Sequence, residues 1–231
     1  MNKDLSVLEQ IIGYGFQDRD LLKLSMTHPS WSGEMKKTRI ESNQRLEFLG
    51  DAVLEHVVSD YLYKEHPEKE EGELTRLRSS LVFEAALCLC AEKISLGEFI
   101  LLGKGEDQSG GRQKPSILSD SFEALIGAVY LDGGFEEARK FIYDHVIVCI
   151  DEMALLKDGK SAIQELVQKQ NGATLRYETT EEGVGTERIF HSELWINDRP
   201  VAKGTGHTKK AAEQEAARKA LKRYNESDQC F

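Results

Sequence analysis

The chain has 231 residues, 40% of them hydrophobic, with 30 Lys and Arg against 40 Asp and Glu for a formal net charge of −10. That length holds one large or two ordinary domains with real cores. No apolar run nears the roughly 20 residues needed to cross a bilayer, and the N-terminus lacks the apolar region of a signal peptide, so the expected compartment is the cytoplasm. Cys88, Cys90, Cys149 and Cys230 form neither a disulfide framework nor a zinc pattern and read as free thiols. The acidity is local: residues 1 to 158 carry 18 basic and 29 acidic side chains, whereas residues 159 to 231 carry 12 and 11. Binding follows the local patch, so the total does not exclude a nucleic acid.

The first element is a short amphipathic helix through Leu5, Leu8, Ile11 and Ile12, stopped at Gly13. Asp18 or Asp20 caps a second helix, Leu21 to His28, which Pro29 ends. Ser30 to Ser42, with Lys36 and Lys37, reads as a loop. Ser42 or Asn43 then caps a long helix that opens NQRLEFLGDAVL, continues through Val57, Val58, Tyr61 and Leu62, and breaks near His66 and Pro67. On it Glu47 and Asp51 lie four residues apart, which stacks their carboxylates on one face. The acidic run EKEEGE reads as a solvated loop turning at Gly72, or alternatively as the source of an accessory acid, Glu71. Leu74 to Ala91 has helical spacing, and Ser95 to Gly97 reads as a turn. GKGEDQSGGRQKP, residues 103 to 115, is either a plain connector or a loop whose Lys104, Arg112 and Lys114 meet phosphate. A second apolar helix, PSILSDSFEALIGAVYLDGG, carries Asp120 and Glu123 three apart on one face and ends at Gly133 and Gly134. A last helix, Phe135 to Leu156, closes an all-helical domain.

Two apolar helices thus each carry an acid pair, and no Lys or Arg sits one turn C-terminal to Glu47 and Asp51. Four convergent carboxylates without His or Cys suit magnesium or manganese, which would polarise a phosphoryl oxygen and activate water. The alternative is that each pair forms salt bridges with basic residues of neighbouring helices.

After a linker at residues 157 to 160, SAIQELVQKQ places Ser161, Gln164, Glu165 and Gln168 on one polar helical face, with Ala162, Ile163 and Leu166 turned to a core. Three alternating runs follow, Leu175 to Thr180, Ile189 to Ile196 and Pro200 to Gly204, with turns at Gly183 and Asn197, and they predict three antiparallel strands. In GHTKKAAEQEAARKAL, Thr208 caps a helix whose first turn holds Lys209 and Lys210. Basic residues there oppose the helix dipole, a placement that an anionic ligand would compensate.

NQRLEFLGDAVL, with THPSW at 27 to 31, Gly-Gly-Arg at 110 to 112 and ILSDSFEALIGAVYLDGG, resembles the signature of ribonuclease III in order and spacing, and KKAAEQEAA resembles a double-stranded RNA-binding domain. The resemblance implies an all-α endonuclease domain, residues 1 to 156, then an α-β-β-β-α RNA-binding domain, residues 161 to 226, and a short tail at 227 to 231. It implies a homodimer formed through the nuclease domain that cuts double-stranded RNA with Mg2+, or Mn2+ as substitute, leaving 5′-phosphate and 3′-hydroxyl ends with short 3′ overhangs, in the processing of structured precursors including ribosomal RNA. Glu47, Asp120 and Glu123 would ligate metal, Asp51 would position the attacking water, and Glu123 would share that role, with Glu71 a possible accessory acid. The Ser161, Gln164, Glu165 and Gln168 face would meet a minor groove, while Lys209, Lys210 and Arg112 would meet RNA phosphates. Gln44 stands where many members have Glu, and Thr186 where many have a groove-contacting His. The competing readings are a catalytically idle RNA-binding regulator and a helical scaffold with structural ion pairs.

Overall fold

The structure is a computed structural model that describes residues 4–34, 41–150, 153, 159–168, 173–183 and 188–226. The chain divides into two compact units, Met1–Met153 and Ala154–Phe231. The first is helical and the second is the expected helix, three strands and helix.

In the first unit, α1 (Leu5–Ile12) stops at Gly13, whose φ of 69° is the left-handed turn that glycine adopts without a Cβ penalty. Asp18 caps α2 (Arg19–Ser25) by accepting from the Asp20 amide. This helix ends earlier than its periodicity predicts. Pro29 begins a helix instead of terminating one, α3 (Pro29–Glu34), because proline's missing N–H is harmless in a first turn. Lys36 and Lys37 lie outside the described residues. Helix α4 spans Gln44–Glu65. Its leading Asn43 makes no side-chain cap; it is buried and donates from Nδ2 to Ser121 Oγ at 3.4 Å.

The acidic run is a loop only in its first half, residues 68–70, and Gly72 does not turn the chain. Glu70 and Glu73 form a capping box that starts α5 (Glu71–Leu81), where acids in the first turn favour the helix dipole. The helical spacing from Leu74 to Ala91 breaks at Val82 and Phe83, so α6 (Glu84–Lys93) is separate. A 3-10 turn covers Leu96–Glu98, and the glycine-rich stretch folds into a short α7 (Lys104–Gln108) and a second 3-10 turn, Gly111–Gln113. Helix α8 runs Pro115–Gly133 and α9 runs Phe135–His145. The expected continuous helix to Leu156 is interrupted by a 3-10 turn at Ile147–Cys149; beyond it Ile150 and Met153 are again helical, and the other residues to 158 lie outside the described set.

The core packs α4 against α8: Leu46, Val53, Leu54, Val57 and Val58 meet Phe122, Leu125, Ile126 and Val129, with α6 and α9 alongside. Burying each of these side chains is worth about 1.5–3 kcal/mol. Among the described residues this unit has no strand, only one bridge between Thr27 and Leu101.

In the second unit α10 covers Gly159–Gln168, so Gly159 and Lys160 open a helix instead of completing a linker. Strands β1 (Leu175–Glu182), β2 (Ile189–Ile196) and β3 (Arg199–Gly206) form an antiparallel sheet in that order. Asn197 and Asp198, at φ 48° and 60°, make the two-residue turn between the last two strands. Helix α11 (Lys209–Glu226) lies close on the sheet. Gly204 permits this, since a Cβ there would strike Ala212 O and Ala216 N. Ile163, Val167, Leu194, Ile196, Ala202 and Leu221 are among the residues of its separate core.

Candidate functional site

Glycine brings the acids together. A Cβ on Gly50 would collide with Glu123 O and stand 2.9 Å from Gly127 N, while one on Gly127 would collide with Leu46 O and stand 3.2 Å from Gly50 N. Each glycine weakens its own helix by about 1 kcal/mol relative to Ala. In return α4 and α8 touch main chain to main chain, which sets Glu47, one turn before the crossing, opposite Asp120 and Glu123.

One carboxylate oxygen from each of Glu47, Asp120 and Glu123 lies within 4.8 Å of the other two. No Lys or Arg forms an ion pair with these three or with Asp51 among the described residues. The result is visible in their acidity. Glu123 is pushed up to about 8, by burial first and then by the charges of Asp51, Asp120 and Glu47. Burial, then Asp120 and Asp51, also raises Glu47, and burial raises Asp120 against the opposing effects of its bond from Ser119 and of His28. Asp51 is exposed as a residue, but partial desolvation of its carboxyl and then the charge of Glu55 raise it; it stands close enough to perturb Glu123 but outside the three-oxygen cluster. Three hard oxygen donors with no cation among them fit a small divalent ion such as magnesium or manganese, and offer zinc neither nitrogen nor sulfur.

Other residues singled out from sequence stand elsewhere. Glu71 is exposed on α5, accepts from Thr75 Oγ1 at 3.0 Å, and lines a groove with His56, Asp60 and Arg78. Gln44 is exposed at the start of α4. Arg112 departs from a phosphate-facing role: Nη1 donates to Gly97 O and Ile100 O at 2.9 Å each, and Nε pairs with Asp107 at 2.7 Å, so it organises its own loop. His28, within THPSW, is a residue that spacing does not single out. It is half-buried, its Nδ1 accepts from the Ser30 amide at 3.1 Å, and its charge bears on Asp120. Only the motif itself marks it in sequence.

In the second unit Gln164 and Gln168 are exposed along α10, whereas the side chains of Ser161 and Glu165, and Thr186 altogether, lie outside the described residues. Lys209 and Lys210 are exposed on the first turn of α11, which Thr208 caps by accepting from the Ala211 amide at 3.1 Å. Arg188 pairs with Glu181 at 2.9 Å.

Comparison with known proteins adds independent findings. Residues 18–149 match a family model described as ribonuclease-III-like, and residues 160–224 match the double-stranded RNA binding motif. The chain is 44% identical over 227 residues to ribonuclease 3 of Oceanobacillus iheyensis, covering 97% of this chain and 100% of that one. It is 48% identical over 223 residues to ribonuclease 3 of Carboxydothermus hydrogenoformans, covering 95% of each. The nuclease domain of ribonuclease III from Campylobacter jejuni, a structure concerned with flexibility in a region involved in dimer formation, aligns with TM-score 0.58 and 43% identity over 62% of this chain and 96% of its own.

Proposed function

Since the chain belongs to the ribonuclease III family, and is thereby an endoribonuclease of double-stranded RNA, we propose that it hydrolyses both strands at the centre formed by Glu47, Asp120 and Glu123. The observation that carries this reading is the convergence of three carboxylates from two helices with no Lys or Arg paired to them among the described residues. These residues would hold Mg2+, with Mn2+ as a substitute. When bound, the ion supplies Lewis-acid polarisation of the scissile phosphate and lowers the pKa of water.

Asp51, exposed at the rim, would orient the attacking water, and Glu123 would share that duty. Products would carry 5′-phosphate and 3′-hydroxyl ends with short 3′ overhangs, which requires one site on each strand and so a homodimer through the nuclease domain. The region involved in dimer formation in the Campylobacter jejuni relative supports that assembly. In the second unit, Ser161, Gln164, Glu165 and Gln168 would follow a minor groove and Lys209 and Lys210 would hold phosphates, reading duplex shape more than sequence. Structured precursors in the cytoplasm, ribosomal RNA among them, are the proposed substrates.

A long RNA duplex incubated with and without magnesium tests the proposal. Scission should require the metal, and Glu123→Gln should abolish it while binding persists. A parent protein that binds without cutting would instead be the idle regulator, and a variant that cuts at the parent rate would remove Glu123 from its role.

A further inference from the structure

Glu213 lies inside the second unit, one helical turn after Lys209, and is only 9% exposed. A buried carboxylate needs partners, and this one gathers them from three elements. Its Oε2 accepts from Lys160 Nζ at 2.7 Å, and its Oε1 meets Thr179 Oγ1 at 3.5 Å, with Lys209 Nζ at 4.0 Å. Thr179 in turn pairs with Ser192 Oγ at 3.0 Å, and Lys160 Nζ lies 4.8 Å above the Tyr177 ring. The neighbouring Gln214 accepts from the Lys160 amide at 3.3 Å. The first turn of α10 is therefore tied twice to the second turn of α11, with β1 and β2 joined into the same knot.

We propose that Glu213 is a positioning residue for duplex RNA: through Lys160 it sets the spacing between the groove-facing side of α10 and the lysines that open α11. This rests on the reading of those two surfaces as RNA contacts. Glu213 itself touches no RNA in this account. Groove and phosphates in a duplex are separated by a fixed distance, so a protein that meets both must hold its own two surfaces at a matching distance. A side chain that locks α10 to α11 does this before the RNA arrives, which avoids ordering on binding.

Simple electrostatics makes the opposite forecast, which gives the experiment its force. Neutralising an acid one turn from Lys209 should strengthen binding to a polyanion, whereas loss of a positioning residue should weaken it. The full chain, its Glu213→Gln and Lys160→Met variants, and the double variant would be titrated with a 30-base-pair RNA duplex in chelator at several salt concentrations. Cleavage in magnesium would be followed on the same proteins. Glu213→Gln should weaken binding about tenfold and flatten the salt dependence by about one unit of slope for each phosphate that the protein no longer neutralises. KM should rise while kcat stays near the parent value. The double variant should be no weaker than the weaker single variant.

Unchanged or tighter binding by Glu213→Gln would overturn the proposal. So would weaker binding at unchanged slope that tracks a lower folded fraction in a thermal melt, since that marks a purely structural role. Lys209→Ala and Lys210→Ala serve as the separate control: if they leave affinity and slope untouched, the RNA reading of α11 fails, and this inference falls with it.

Discussion

Replacing Glu123 with Gln removes the charge that this fold holds at the greatest disadvantage. Its carboxyl is lifted from 4.5 to about 8 by burial and by three neighbouring acids. At about 1.4 kcal/mol for each tenfold change in acidity, the full displacement is worth about 5 kcal/mol. Solvent still reaches the group and screens it, which leaves roughly half, on the order of 2 kcal/mol. The folded protein binds more protons than the unfolded chain between 4.5 and about 8, so metal-free stability falls as pH rises through that window and the penalty is complete above it. Glu123→Gln should therefore melt about 4–8 °C above the parent at pH 9 in chelator, with the gap closing toward pH 4.5. Magnesium should raise the parent's Tm and raise the variant's far less, because the ion relieves the repulsion that the substitution has removed. Scanning calorimetry across pH, with and without magnesium, measures both. Identical melting at pH 9, or equal metal-induced shifts, would refute the reasoning.

Three other expectations follow from the geometry. Gly127→Ala would gain about 1 kcal/mol of helix propensity elsewhere in a helix, but here the added methyl strikes Leu46 O, so a net loss of about 2–3 kcal/mol in urea denaturation is expected, together with loss of cleavage. Unaltered stability would mean that the helices can separate freely. Alanine at both Lys209 and Lys210 should reduce the slope of log affinity against log salt by roughly 2, and a parallel shift without a slope change would place the phosphates elsewhere. Asp132 accepts from Tyr14 OH at 2.6 Å and from the amides of Gln17 and Asp18 at 3.0 and 2.7 Å. Burial pushes its carboxyl up, but these three bonds outweigh it and hold the acid below its usual 3.8. Asp132→Ala should cost about 1–2 kcal/mol near neutral pH. The loss should shrink as acid protonates the parent below that value, and a constant difference down to pH 2 would contradict the assignment.

The two long apolar helices and the three strands are legible in sequence because periodicity reports the side that is buried, and burial dominates their formation. Short elements are harder. Pro29 and Gly72 are breakers by composition, yet each sits in a helix's first turn, where a missing amide or a flexible residue does little harm. The acids of the site can be named from their spacing, but spacing along one helix says nothing about which face of another it meets. That meeting depends on Gly50 and Gly127, seventy-seven positions apart, and only the packed chain shows that their hydrogens face each other's backbone. For the same reason sequence alone misplaces Arg112. Its charge is plain there, while the two carbonyls and the carboxylate that engage it come together only through folding.

The crossing of α4 and α8 also bears on which ion the site favours. The separation of the main chains that carry the acids is set where Gly50 and Gly127 let the two helices meet backbone to backbone, so the oxygens can adjust only through the torsions of the acid side chains themselves. Magnesium asks for ligands at about 2.0–2.1 Å in a strict octahedron, and calcium accepts more oxygens at about 2.3–2.6 Å. If the three acids hold an ion as proposed, a main-chain frame of this kind would disfavour the longer bonds of the larger one, and the preference would originate two glycines away from any atom that the metal touches.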